Sequence, residues 1–426
     1  MKRTIKLAVV AALALGATSA FATNGSTMIG IGAKSRAMGG VGIATGFGAE
    51  SGINNPALIT TIKGDNEVSF GGTVFMPDIE VQASTTNLPS GSVGAEQTSD
   101  SDFFVIPTVS LASKINDNWY WGIGMWGTGG LGVDYRDVTE NTFSMVTALQ
   151  TMQFGLPIAY TNSGFSIGVT PIVQYSSLDI QYTQPADFII PGDDGEIGSG
   201  VAQDIALGLN LGVAYETDGL TFGAMYKSEI KFDTKDVMNT ALDGFGVGPS
   251  SGGTTINEMA TPAEMGVGVS YTMNEHTVAL DYKNINWEDA EGYKDFGWED
   301  QDVIAIGYEY ATDGWALRAG YQYAESAVQD NSGKNLAIDA THATAMAGMG
   351  ITGTSLTNTF NLLGFPGTQE SHISFGGTYA FNETLSMDLA VVYGLENTET
   401  FKGFTGEDIK STHSEQSYSV QVNYAF

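Results

Sequence analysis

Few residues of this chain could carry chemistry on their own, and they are sparse: four histidines, no cysteine, and a handful of lysines and arginines. His276, His342, His372 and His413 lack HExxH-type spacing, and the absence of cysteine removes thiolate metal sites, disulfides and cysteine catalysis. No metal and no cofactor is expected. Gly248-Pro249-Ser250-Ser251-Gly252 matches the GxSxG pattern of serine hydrolases. It stands in a Ser/Gly-rich stretch without the strand-to-helix elbow that exposes such a nucleophile, so no enzyme is expected from it. Gly30-x-Gly32 lacks a third glycine at Ser35 and a preceding strand, which removes a dinucleotide site. There remain Lys227, Lys231, Lys283 and Arg318, cations able to meet an anionic ligand if their elements face an enclosed space.

Those elements are strands. The chain has 426 residues, 42% of them hydrophobic and 15% charged, enough to bury a large structure. Lys+Arg 17 against Asp+Glu 48 gives a formal charge of -31, which excludes a basic footprint for nucleic acid. Lys2, Arg3 and Lys6, then an apolar Leu7 to Ala17 and Ala20-Phe21-Ala22, form a secretory signal peptide over residues 1–22. No later stretch reaches 18 consecutive apolar residues, so an exported chain without a spanning helix must be either soluble or a closed barrel.

Alternation decides between them. Tyr418, Val420, Val422, Tyr424 and Phe426 alternate with small or polar residues. Ile205 to Tyr215, Met265 to Tyr271, Ile373 to Phe381 and Leu385 to Tyr393 repeat the period of two. Short polar turns (residues 116–118, 161–164, 216–219, 272–275, 311–314 and 382–384) alternate with longer connections near 81–102, 136–147, 183–203, 234–260, 288–300, 326–370 and 397–413. Segregated loop lengths and about fourteen strands predict an all-β, antiparallel transmembrane barrel over residues 67–426, with aromatic girdles at its rims. A secreted β-sandwich has no reason to sort its loops in this way. Residues 23–66 do not alternate; they are rich in glycine, low in charge, and read as a plug inside the lumen.

Arg36-Ala37-Met38-Gly39-Gly40 followed by Asn55-Pro56-Ala57-Leu58-Ile59-Thr60 resembles the N-terminal hatch of the FadL/TodX outer-membrane transporters of long-chain fatty acids and other hydrophobic compounds. Tyr226 to Lys231, Gly377 to Asn382 and the ending Asn423-Tyr424-Ala425-Phe426 are similar to further segments of that family. The resemblance implies passive uptake across the outer membrane of a Gram-negative bacterium: lumen binding, movement of the hatch (Asn55, Pro56, Ala57, Leu58), and lateral exit at an inward kink in the third strand. The resemblance places that kink at Gly127, Gly129 and Gly130, and glycines inside a strand do mark bulges and close approaches. Trp126 beside them joins Arg318 and Lys227 as a candidate substrate-binding residue. The expected partners are a long-chain fatty acid or another hydrophobic small molecule and outer-membrane lipid, with the barrel acting as a monomer. A neutral hydrocarbon cargo is the alternative, and a nonspecific diffusion porin a more distant one. The connection near 183–203 (Asp193, Asp194, Glu196) is too short for the helical hairpin that fatty acid members use for capture; the apolar Ala345 to Met349 and Phe360 to Pro366 are the expected substitute collecting surface outside.

Hairpin register sorts the cations. If Tyr215 lies opposite Leu220, Tyr271 opposite His276 and Tyr310 opposite Trp315, then Lys231 faces Asp204, Lys283 faces Glu264, Lys227 faces Gly208 and Arg318 faces Gly307. The first two are thereby paired. Lys227 and Arg318 are left as the free cations, and Arg318, within Trp315-Ala316-Leu317-Arg318-Ala319-Gly320, also matches an arginine of the fatty acid members.

Overall fold

The computed structural model describes residues 24–83, 94–138, 142–183, 195–348 and 352–426. The expected signal peptide, Asp193, Asp194 and Met349 lie outside the described residues.

Fourteen antiparallel strands close into one barrel. They are β1 Asn66–Gln82, β2 Phe104–Lys114, β3 Trp119–Asp134 and β4, which runs as Val146–Gly155 and Ile158–Asn162 around Leu156-Pro157. Next come β5 Phe165–Thr183, β6 Ala202–Thr217, β7 Leu220–Lys227, β8 Glu264–Met273, β9 His276–Ile285 and β10 Gln301–Ala311. The last four are β11 Trp315–Ala324, β12 Ser371–Ala380, β13 Leu385–Lys402 and β14 Asp408–Ala425. Each pairs with its neighbour in sequence, and β1 pairs with β14 from Glu67↔Ala425 to Gln82↔Lys410, so no edge remains unpaired at the seam.

The alternating apolar residues face outward. Ile205, Leu207, Leu209, Leu211, Val213 and Tyr215 of β6 are all exposed, as are Tyr418, Val420, Val422 and Tyr424 of β14; Ser417, Ser419, Gln421 and Asn423 between them are buried. In water this surface would be a liability, whereas in a bilayer it is the solvated face. Among the described residues no helix is long and apolar enough to cross a membrane, and the strands do that work. Trp119 and Tyr160, Tyr310 and Trp315, Tyr379 and Phe381, and Tyr424 and Phe426 form ring pairs at the end that carries the short turns.

Those turns are tighter than four residues. Thr217 pairs with Leu220, Met273 with His276, and Thr312 N donates to Trp315 O at 2.8 Å, leaving two-residue loops at Asp218-Gly219, Asn274-Glu275 and Asp313-Gly314. Asp218 and Gly219 both have positive φ (50° and 78°), the backbone that suits a two-residue hairpin to strand twist. Every register therefore moves by two from the expected one. Inward and outward faces survive such a shift, but cross-strand partners do not. One connection also differs: much of 397–413, expected as a loop, is paired strand, and only residues 403–407 join β13 to β14.

Residues 24–62 fold inside the barrel as short helical turns, Ala33–Ala37, Gly48–Glu50, Ser51–Asn54 and Pro56–Thr61. Met38, Val41, Ile53, Leu58 and Ile59 of this segment are buried against the inner wall.

Candidate functional site

The lumen segment is fastened by wall side chains that reach its backbone. Asp281 of β9 accepts from Gly42 N (2.7 Å) and Ile43 N (2.8 Å), and Thr170 of β5 donates to Gly52 O (2.7 Å). Gln322 of β11 donates to Ile29 O (3.2 Å) and Gly39 O (3.1 Å). A short segment without regular pairing needs such partners, since its buried N–H and C=O groups have no ladder of their own. None of Asp281, Thr170 or Gln322 was singled out from sequence, although their inward position in alternating strands was available to find them.

Asn55-Pro56-Ala57-Leu58 is the tightest part of that seat. Asn55 caps the following turn by accepting from Ala57 N (3.1 Å), and its amide donates to Ile43 O (2.7 Å) and Val213 O (3.2 Å). Pro56 takes the first position of the turn, where its missing N–H costs nothing. The wall opposite is glycine: a Cβ on Gly212 would stand 1.8 Å from Asn55 Oδ1.

One charged cluster lies on the side of the segment that faces the short turns. Lys34 Nζ stands 3.8 Å from Glu50 and 3.7 Å from Asp388 of β13. Burial pushes the Glu50 carboxyl up to about 8, outweighing the pull of Lys34. Arg318 sits in the same region, bonded to Glu309 at 2.6 Å and to Thr378 at 2.7 Å, with Asp388 at 3.8 Å. It lines a vestibule of about 570 Å³ bounded by Thr312, Asp313, Asn382 and Glu383 of the short turns. Lys227 lies elsewhere, beside a cavity of about 60 Å³ that Met28, Ile43 and Asp281 help to line.

Neither Lys227 nor Arg318 is free. Arg318 lies directly opposite Glu309, not Gly307; Lys227 lies opposite Asn210 and Glu264, not Gly208. Glu264 takes both Lys227 and Lys283 at 3.3 Å, so the expected Lys283–Glu264 pair exists, as a diagonal contact. Lys231 does not face Asp204: it leaves the wall with Ile230–Asp233 and contacts Glu291 at 2.9 Å. The two-residue turns account for the partners of Lys227, Lys283 and Arg318, whereas Lys231 is lost from the wall because the chain leaves β7 after Lys227 and pairs elsewhere. Ser250 gives its hydroxyl to Asp243 at 2.7 Å in an exposed turn, Pro249–Ser251, and no strand-to-helix elbow surrounds it.

The ladder of the wall breaks beside Trp126. Pairing between β2 and β3 ends at Thr108↔Trp126, while β2 runs on to Phe104 with only β1 as its partner. Pro107, one residue past that last pair, has no N–H for a ladder. The pairing of β3 with β4 shifts register between Gly127 and Gly129. In the same stretch β3 exchanges its wall neighbour for the lumen segment: Gly130 N donates to Ser26 O (2.9 Å) and Met28 N to Thr128 O (3.2 Å). Only glycine fits there, because a Cβ at 129 would stand 2.3 Å from Ser26 O. Trp126 is fully buried with its indole N–H on Ser110 (2.9 Å), packed with Met28, Ile53, Phe104 and Ile106. The ladder between β2 and β3 is thus broken in the side of the barrel, and apolar side chains, Ile106 against Gly127 among them, fill the break.

Above, toward the long loops, the lumen is closed by aromatic and aliphatic side chains. Phe360 to Pro366, expected outside as a collecting surface, folds inward instead: Phe360, Leu362, Leu363 and Phe365 are buried. An apolar run in water is driven to whatever cover is nearest, and here the barrel mouth supplies it.

The family model described as Outer membrane protein transport protein (OMPP1/FadL/TodX) matches residues 7–355. The chain belongs to this family. As a member it is an outer-membrane β-barrel of a Gram-negative bacterium, in a family of transporters. A long-chain fatty acid transport protein of Escherichia coli O6:H1 (strain CFT073) is 26% identical, over 99% of this chain and 98% of the relative. That of Salmonella typhi is 26% identical over 80% of each. Among solved structures, the Pseudomonas putida toluene transporter TodX superposes with a TM-score of 0.65 at 20% identity, covering 93% of this chain and 99% of TodX. A Pseudomonas aeruginosa FadL homologue gives 0.68 at 15% identity, covering 96% and 99%. At those identities the structures speak to the fold.

Proposed function

We propose that this FadL/TodX-family barrel carries out passive uptake of hydrophobic molecules across the outer membrane, with residues 23–66 as a hatch and the break between β2 and β3 as the way out. The hatch occupies the centre of the lumen, so a hydrophilic solute has no straight water-filled route, which argues against a diffusion porin. An apolar molecule has a route: it enters through the aromatic mouth, passes the Trp126 cluster beside Ser26–Met28, and leaves sideways between Phe104–Pro107 and Gly127–Gly130 into the bilayer. Outer-membrane lipid is then the receiving phase. Transport in this form needs no catalytic residue and no cofactor, and a single barrel suffices.

One observation carries the choice of cargo. Lys227 and Arg318 are both ion-paired and lie in different cavities, Arg318 on the far side of the hatch from the mouth. A carboxylate entering the apolar mouth would meet neither cation there, and its desolvation would go uncompensated until it reached Lys227, which shares Glu264 with Lys283 deeper in the lumen. An uncharged apolar ligand is therefore the favoured cargo. Long-chain fatty acids stand as the second reading, supported by relatives of that function that align along nearly the whole chain. Binding of a radiolabelled alkylbenzene and of oleate to the purified barrel separates the two: saturable alkylbenzene binding that oleate displaces weakly supports the first, and tight oleate binding alone overturns it.

A further inference from the structure

Four aromatic rings from separate stretches of chain meet at the barrel mouth, Phe143, Tyr182, Phe245 and Phe404, and a fifth, Phe296, lies across from them. Phe245 lies 4.9 Å from Tyr182, tilted by 32°, and 5.4 Å from Phe143, edge to face at 88°, ring centre to ring centre. One further ring fills the space they leave. Phe360 lies 5.1 Å from Phe245 at 69° and 5.7 Å from Phe296 at 63°, edge to face with both. It is delivered by the β11–β12 connection, which leaves the barrel rim and turns back into the lumen as Leu356–Gly364.

We infer that this aromatic cage is a ligand site for an uncharged ring or alkyl segment of about phenyl size, occupied here by the chain's own Phe360. The inference rests on the proposed uptake of hydrophobic molecules and adds to it a second, outer plug. Two features make the occupant exchangeable. Its base is fixed separately from its tip: Asp339 accepts from Leu356 N (2.7 Å) and Thr357 N (3.0 Å), so the turn beyond can swing while its root stays placed. The tip is held by side-chain contacts, Trp298 Nε1 to Asn361 (3.0 Å), Asn361 to Phe296 O (2.9 Å) and Thr147 to Gly364 O. An entering ring would replace the apolar area that Phe360 loses, so the exchange is close to balanced. The tip also leans on the hatch, since a Cβ on Gly367 would stand 3.1 Å from Gly25 Cα. A ligand that lifts the tip thus loosens the neighbour of Gly25 and Ser26, at the head of the segment that blocks the way out.

The chain has no cysteine, which permits a clean lock. A Cβ at residue 364 would lie 3.4 Å from Thr147 Cγ2, within reach of a disulfide. The Thr147→Cys, Gly364→Cys variant should crosslink on oxidation, and uptake of radiolabelled toluene and oleate by cells whose outer membrane carries the variant should then stop and return on reduction. Failure to crosslink would overturn the seating of the plug, and unchanged uptake in the oxidised form would overturn its need to move. If neither probe enters through wild-type or reduced protein, the transport reading itself fails, which is a different result. The single variant Gly364→Cys gives an independent reading: saturating toluene should speed maleimide labelling at 364 several-fold while leaving a Ser250→Cys control unchanged. An unaltered rate at 364 would contradict displacement.

Discussion

Gly212 of β6 is where Asn55 of the lumen segment touches the barrel wall, so close that a Cβ at 212 would stand 1.8 Å from Asn55 Oδ1. The contact joins the most family-like motif of the chain to an otherwise ordinary position in an alternating strand. Gly212→Val should unseat the segment at a cost of about 1–3 kcal/mol, the usual penalty for overpacking. The barrel should still fold and show heat-modifiable migration, and ion conductance in planar bilayers should rise. Wild-type conductance would show that the seat tolerates a side chain.

Gly129 and Gly130 allow β3 to leave β2 and bond to Ser26–Met28. A Gly129→Val, Gly130→Val variant should express and fold but lose ligand transfer to the bilayer, while binding in the upper lumen persists. Uptake at the wild-type rate would count against a side exit.

Glu50 makes seating of the hatch pH-dependent. Its carboxyl has an ordinary value of 4.5 and is pushed up to about 8 by burial. The folded state therefore binds the proton more tightly than the unfolded one, so this contribution to stability is complete below about pH 4.5 and lost as pH rises through about 8. Conductance or loss of thermal stability should grow from pH 6 to pH 9 in the wild type and flatten in Glu50→Gln. An identical profile in the variant would remove Glu50 as the source.

Arg318→Ala with Lys227→Ala strips two lumen cations that already have carboxylate partners, Glu309 and Glu264. Alkylbenzene binding should stay within about twofold, while thermal stability falls because Arg318→Ala strands the Glu309 carboxylate; Lys227→Ala costs less, since Glu264 keeps Lys283 at 3.3 Å. A selective loss of oleate binding would instead restore carboxylate recognition to these residues.

The barrel was readable from the chain because lipid outside and side chains inside impose the same two-residue period on every strand, and because short and long connections alternate. The faces of Lys227, Lys283 and Arg318 were readable for the same reason. Their partners were not. Partners depend on loop length at each hairpin, and Asp218-Gly219, read as part of a four-residue turn, closes as a two-residue one; Glu309 rather than Gly307 then faces Arg318 by the same kind of shift. The fate of Phe360 to Pro366 was hidden for another reason. Hydrophobicity says that such a run seeks cover, but not whether the cover is a ligand or the lumen of its own barrel. Strand 3 lies between these cases: its glycines mark irregularity, while the exchange of β2 for Ser26–Met28 arises only in three dimensions.

The central claim is that a hatch-filled barrel passes hydrophobic molecules sideways and blocks hydrophilic ones. Paired measurements on wild type and on a deletion of Thr23 to Asp65, ion conductance in planar bilayers and radiolabelled toluene uptake by cells whose outer membrane carries each form, test it most directly. The account predicts toluene uptake with little conductance for the wild type, and an open, conducting pore for the deletion. Free ion conductance through the wild type without saturable toluene or oleate uptake, unchanged by the deletion, would contradict it.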